Sequence, residues 1–199
     1  MNSLISLRKK PTQKRSSATV AAILEAAALI LETSGLENYN TNEIAARAGV
    51  SIGSLYQYFP GKDAITRKLI AREMEQLRDT LADVAFLHSG HSGLHHLLAA
   101  AINCQLRRPV LARVLDLEEA RLPPDEDVER LASQIDKIVH RCLAAPDLPE
   151  SARAPEAVGD IVAIIKGMVD AAERRGETDI SSLTSRVSKS VFGYLGCAP

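Results

Sequence analysis

The stretch Val50–Ile65, "VSIGSLYQYFPGKDAI", decides how this chain reads. It predicts a short helix that Ser51 caps and Pro60-Gly61 ends. Aromatic residues make up 4% of the chain, yet Tyr56, Tyr58 and Phe59 fall here together. Gly53 lies inside the predicted helix, where glycine costs about 1 kcal/mol relative to alanine. With Leu55 and Phe59 turned into a core, the other side presents Ser51, Gly53, Ser54, Tyr56 and Gln57. Gly53 has no side chain, so another backbone can approach it closely.

The preceding segment, "NTNEIAARAGV" (residues 40–50), predicts a second short helix. It opens at Asn40–Thr41, with Glu43 placed for a capping box, and Gly49 suits a left-handed helix end. Two helices this short are unstable alone and must pack on each other and on a third. A small residue (Ala45), a glycine and a branched residue (Val50) across a tight turn form the pattern of a DNA-binding helix–turn–helix. An ordinary helical hairpin shares the apolar part of that pattern. On the DNA reading, Thr41, Ser51 and Ser54 offer short hydroxyls to phosphate oxygens. Tyr56 and Tyr58 combine ring packing with a hydroxyl. Gln57 and Ile52 suit base edges, an amide for adenine and an apolar contact for a thymine methyl. Lys62 opens the next helix, whose free N–H groups also favour anions.

Outward from this centre, apolar spacing predicts helix almost throughout. One helix covers about 17–34, stopped by Gly35. A long one runs from Lys62 into the eighties, with Ile65, Leu69, Ile70, Leu77, Leu81 and Val84 on its apolar side. "LHSGHSG" is a break, and five more helices follow near 91–107, 109–121, 126–145, 155–175 and 179–195. The fold class is therefore all-α, with about nine helices. A functional boundary falls near the fourth helix: residues 1–62 as a DNA-binding domain with a basic arm (helix–turn–helix about 41–60), and 63–199 as an effector-binding and dimerisation domain.

Charge supports that division. Residues 1–72 hold ten Lys or Arg against five acids, and the remainder holds 14 basic and 20 acidic residues. A basic first third suggests that this part meets a polyanion. Arg8, Lys9, Lys10, Lys14 and Arg15 read as a flexible arm, either a phosphate-binding one or a solvated tail. Cys104, Cys142 and Cys197 are odd in number and far apart, which points to reduced thiols in a cytoplasm. No spanning helix is expected, and the order of charges and apolar residues at the start is not that of a signal peptide.

With these residues in view, "TVAAILEAAALILETSGLENYNTNEIAARAGVSIGSLYQYFPGKDAI" resembles the N-terminal domain of the TetR (tetracycline-repressor-like) family of bacterial transcriptional regulators. The likeness covers roughly Ser16 to Ile70 and is closest at "TNEIAARAGVSIGSLYQYFPGK". It implies a three-helix DNA-binding head, a variable helical ligand-binding body and a homodimer on a double-stranded operator. It implies that Thr41 binds phosphate and that Ile52, Gly53 and Gln57 enter the major groove. Tyr56, Tyr58 and Lys62 would grip the backbone, and Asn42 lies where a base-reading residue can stand. It says nothing specific about the small-molecule effector.

The body is read from its residues. Asn103 and Cys104 interrupt the apolar run "LLAAAINCQL", and Arg113 and Asp116 follow "RRPV"; these four are candidate ligand contacts, or else surface and small core residues. The scarcity of aromatics there favours an aliphatic or acyl-like effector. "HSGHSGLHH" places His91 and His95 at i, i+4, near His88 and His96, which raises a metal-sensor alternative. The expected reading is an exposed polar loop with no metal and no cofactor. No nucleophile–base pair, phosphate loop or HExxH motif is present, so no catalytic residue is expected; a helical enzyme is the different-class alternative. In "VGDIVAIIKGMVDAA", Gly159, Ala163, Gly167 and Ala171 recur every four residues. The next helix carries Leu183, Val187, Val191 and Tyr194 on one side. Both are expected at a four-helix dimer interface, the alternative being that the stripe packs within its own chain.

Overall fold

A computed structural model describes residues 14–82 and 89–197. The helices are α1 (Lys14–Ser34), α2 (Thr41–Arg47), α3 (Ile52–Tyr58), α4 (Lys62–Leu81), α5 (Gly90–Arg107), α6 (Pro109–Arg121), α7 (Glu126–Leu143), α8 (Ala157–Arg174) and α9 (Ile180–Leu195). The described residues contain no strand, and a short 3-10 turn, Glu150–Arg153, joins α7 to α8 where the sequence suggests only a break. Val84, Phe86 and His88 lie outside the described residues, as do Arg8, Lys9 and Lys10. Lys14 and Arg15, expected in the basic arm, already belong to α1.

The chain forms two compact units. The first takes the chain up to Glu73 together with Val110–Glu129. Its core is built from Ile23, Leu24, Ala27 and Leu31 of α1, Ile44 and Ala45 of α2, Leu55 of α3, Phe59, and Ile65 and Leu69 of α4, all buried. Segment Ser16–Ser34 of α1 is in fact long and apolar enough to cross a bilayer by composition. Its apolar residues are the ones that form this core.

The turn between α2 and α3 is fixed locally. Asn40 accepts from the backbone N–H of Asn42 and Glu43 at 3.1 and 3.0 Å. Gly49 adopts φ 66°, and the N–H groups of Gly49 and Val50 return to the carbonyls of Ala46 and Ala45. These two hydrogen bonds close a helix end and require the left-handed residue that glycine supplies. Ser51 then accepts from Ser54 N at 3.1 Å to start α3.

The second unit comprises Met74–Pro109 and Arg130–Pro199. Leu94, Leu98 and Ile102 of α5 meet Ile161, Ile165 and Val169 of α8 and Leu183, Val187, Val191 and Phe192 of α9 in one apolar cluster. Asp147, in the loop after α7, accepts from Gly90 N at 2.8 Å and His91 N at 3.3 Å at the start of α5. The fit there is tight: a Cβ on Gly90 would lie 2.6 Å from Ala145 Cβ.

This division differs from the boundary expected at 62/63. The first turns of α4 send Ile65 and Leu69 into the core of the first unit, while Asp63, Arg67 and Lys68 bond to residues 121–127.

Candidate nucleic-acid interface

Asn42, Ser51, Ile52, Gly53, Tyr56, Gln57 and Lys62 are exposed or partly so, and Thr41 and Ser54 are half-buried. They form the surface opposite Leu55 and Phe59. Ile52 and Tyr56 are 38% and 41% exposed, unusual for large apolar side chains on so short a helix. The Tyr56 and Thr41 hydroxyls lie 3.1 Å apart and tie α3 to the first residue of α2. Ser51 and Ser54 hydroxyls pair at 2.8 Å. Four hydroxyls thus stand in two pairs on one face.

Gly53 has neither a positive φ nor a crowded site: a Cβ there would meet only Ser51 Oγ, at 4.0 Å. Nothing within the protomer requires glycine. Its helix-propensity cost of about 1 kcal/mol has no compensation inside the protomer.

Tyr58 departs from the expectation. It is only 9% exposed, because i+3 from Leu55 falls on the same buried stripe as i+4. Its ring belongs to the core beside Leu55 and Phe59, not to the face carrying Tyr56 and Gln57. The charge on this surface comes from its margins, since α3 has no Lys or Arg. Arg47 ends α2 and Lys62 opens α4.

Sequence reasoning misses what holds Lys62 in place. The buried Tyr39 hydroxyl meets Thr66 Oγ1 at 3.0 Å, and Thr66 Oγ1 donates to the Lys62 carbonyl at 3.0 Å. Burial above all pushes the Tyr39 phenol up, so it remains protonated. Arg121 Nη2 reaches Asp63 Oδ1 at 2.8 Å and Glu118 Oε2 at 2.6 Å. Tyr39 and Thr66 are 27 residues apart in sequence, and Asp63 and Arg121 are 58 apart. No local pattern announces either pair.

The four candidate effector residues divide between the two compact units. Asn103 and Arg113 are exposed, and Cys104 and Asp116 are half-buried. The histidine segment is not the exposed loop that its composition suggests. Ser89 caps α5, His91, His95 and His96 lie in its first turns, and His91 and His95 place their rings 5.2 and 4.7 Å from that of Phe192. His96 Nε2 lies 3.0 Å from the Thr80 carbonyl near the end of α4. Among the described residues no group of three or more His, Cys, Asp or Glu is placed to hold a metal ion. Cys142 is buried, and desolvation pushes its thiol up to about 11.

On α8, Gly159 and Ala163 are exposed, Gly167 lies on the same open side, and Ala171 is half-buried. A Cβ on Gly159, Gly167 or Gly193 would meet nothing within 4 Å. Val187 and Val191 correct the expectation: both are 0% exposed in the core of their own chain, so they cannot face a partner. The open face of α9 carries Gly193 and Tyr194 instead, and Tyr194 donates to Asp160 Oδ2 at 2.7 Å.

Residues 23–69, which contain this surface, match the family model of the bacterial regulatory proteins, tetR family. That segment is similar to the DNA-binding part of TetR-family regulators. The chain is 30% identical over 95 residues to the HTH-type transcriptional repressor KstR of Mycolicibacterium smegmatis. That match takes in 47% of this chain and spans about half (46%) of the relative's length. Two solved structures share the fold across nearly the whole chain. The fatty acid degradation regulator FadR of Bacillus halodurans has a TM-score of 0.72 at 18% identity, covering 93% of this chain and 97% of that one. FadR of Bacillus subtilis in complex with stearoyl-CoA has a TM-score of 0.69 at 21% identity, covering 86% and 96%. The segment matched by the family model contains both α2 and α3.

Proposed function

We propose that this protein is a TetR-family member and a sequence-specific DNA-binding transcriptional repressor. It acts as a homodimer on a palindromic operator and is released by a small-molecule effector. The observation that carries the reading is the α3 face: Gly53 without an internal reason, flanked by exposed Ile52, Tyr56 and Gln57. Thr41, Ser51, Ser54, Tyr56 and Lys62 surround it as phosphate contacts, with Asn42 at its edge. Tyr58 serves it through packing beneath. The KstR match and the family supply the repressor sense.

Dimerisation is supported by the open small-residue face of α8 with Gly193 of α9, where helices of a second copy can approach closely. The effector class favoured is an aliphatic or acyl-like molecule. The cluster of buried residues in the second unit has no aromatic member apart from Phe192, and one fold neighbour was solved with stearoyl-CoA. An effector releases DNA only through unequal affinity for the two conformations.

Substitutions separate reading from gripping. Gln57→Ala changes base preference in a competition between operator variants. Lys62→Ala weakens all sequences alike and lowers the slope of log affinity against log salt by about one. Equal base preference in Gln57→Ala and wild type would remove Gln57 from the reading role.

A further inference from the structure

The first turns of α4 are braced by the corner between α6 and α7. Arg121 forms a fork on Glu118, Nε to Oε1 at 3.1 Å and Nη2 to Oε2 at 2.6 Å, while Nη2 also reaches Asp63 Oδ1 at 2.8 Å. Glu118 is 5% exposed, so its carboxylate stays in place only while Arg121 holds it. The second turn of α4 adds to the brace. Arg67, 3% exposed, donates from Nε to the Pro123 carbonyl at 2.7 Å, and Lys68 pairs with Asp127 at 3.3 Å. Compactness says the same, since Val110–Glu129 belongs to the unit that holds α2 and α3.

An exposed ion pair contributes little to stability. A planar guanidinium anchored on a buried carboxylate is different in kind, because its fork fixes direction. Asp63 is the residue next to Lys62, and Arg121 therefore sets where the first turn of α4 lies. We propose that Arg121 is a positioning residue for DNA binding: bridged between buried Glu118 and Asp63, it aims Lys62 at the DNA backbone. This rests on the DNA-binding reading above.

Charge and positioning predict opposite signs, which makes the inference testable. Asp63 is an anion beside a phosphate-binding lysine. If it acted by charge alone, Asp63→Asn would tighten binding. If it acts through Arg121, Asp63→Asn weakens binding.

The experiment is a titration of full-length protein with a duplex selected from random DNA by the wild type, at salt from about 50 to about 200 mM. The expected result is that Asp63→Asn and Arg121→Ala each lose about tenfold in affinity and about one unit of salt slope. Neither adds a further loss in the Lys62→Ala background, because the three substitutions remove one contact, and Asp63→Glu restores most of the affinity. Asp63→Asn binding as tightly as wild type or tighter would overturn the inference, as would losses that multiply with that of Lys62→Ala. Should Arg121→Ala fail to fold with Glu118 stranded, Asp63→Asn decides the matter, since it leaves the Glu118–Arg121 pair intact. Wild-type affinity in Lys62→Ala would remove Lys62 from the backbone contacts, and this inference with it, whereas a wild type that selects no duplex would contradict the DNA-binding reading itself.

Discussion

Gly53 is the residue on which protomer and function disagree. Within the chain an alanine would be better: the φ is ordinary, the space is open, and the helix would gain about 1 kcal/mol. Against DNA, an added methyl would stand between the α3 backbone and the groove. Gly53→Ala is therefore expected to melt at the same or a higher temperature than wild type. It should bind DNA about tenfold more weakly, about the cost of one mismatched base pair. Thermal melts and a binding titration on one preparation check both halves. Unchanged affinity would show that no surface approaches Gly53. Ser51, Gly49 and Asn40 are legible in the sequence because caps and left-handed glycines act within four residues of themselves. Tyr58 is not, since its place depends on which of two neighbouring stripe positions the core takes.

At the scale of elements, caps and breakers locate the short α2 and α3, and apolar periodicity locates the longer helices, α6 to the residue, because each buries one face. Their ends are set by Pro109, the Pro123-Pro124 pair and Gly176 with φ 66°, all visible as breakers. What periodicity cannot tell is who covers an apolar face. On spacing alone Val187 and Val191 fit a partner as well as the core of their own chain, where they lie. Nor can it find a cap 57 residues away, such as Asp147 on Gly90 N at the start of α5. The hydrogen bond from Gly90, with that from His91, holds the Asp147 carboxyl below the usual carboxylate range. A carboxyl depressed in the folded state stabilises above its unfolded pKa of about 3.9. That stability is lost as pH falls through the folded value. Asp147→Ala should thus lower the melting temperature at neutral pH, and the gap to wild type should narrow once pH drops below about 4. Melts of both proteins across pH check this. A gap of constant size down to strong acid would mean that the carboxylate charge contributes nothing there.

For the whole molecule, the open face of α8 bears on assembly. A Cβ on Gly167 would meet nothing within 4 Å in its own chain, so a larger side chain fits the lone protomer. In a close helix–helix contact, the same side chain would bury an unpaired charge. Gly167→Glu is therefore expected to remain folded by circular dichroism, to sediment as a monomer, and to lose most of its operator affinity. The loss would arise far from the DNA in sequence, through the broken linkage of two half-sites. A dimer with full affinity would place the interface elsewhere.

The central claim is that this chain reads a DNA sequence with two copies of one surface. Selection of bound duplexes from a random DNA pool by the purified full-length protein tests it most directly. Two identical heads on a two-fold axis should enrich a pseudo-palindrome, its half-sites about one or more helical turns apart. The enrichment should disappear when Gly53 and Gln57 are both replaced by glutamate. A wild-type pool with no enriched motif, or with a single unrepeated half-site, would contradict the account.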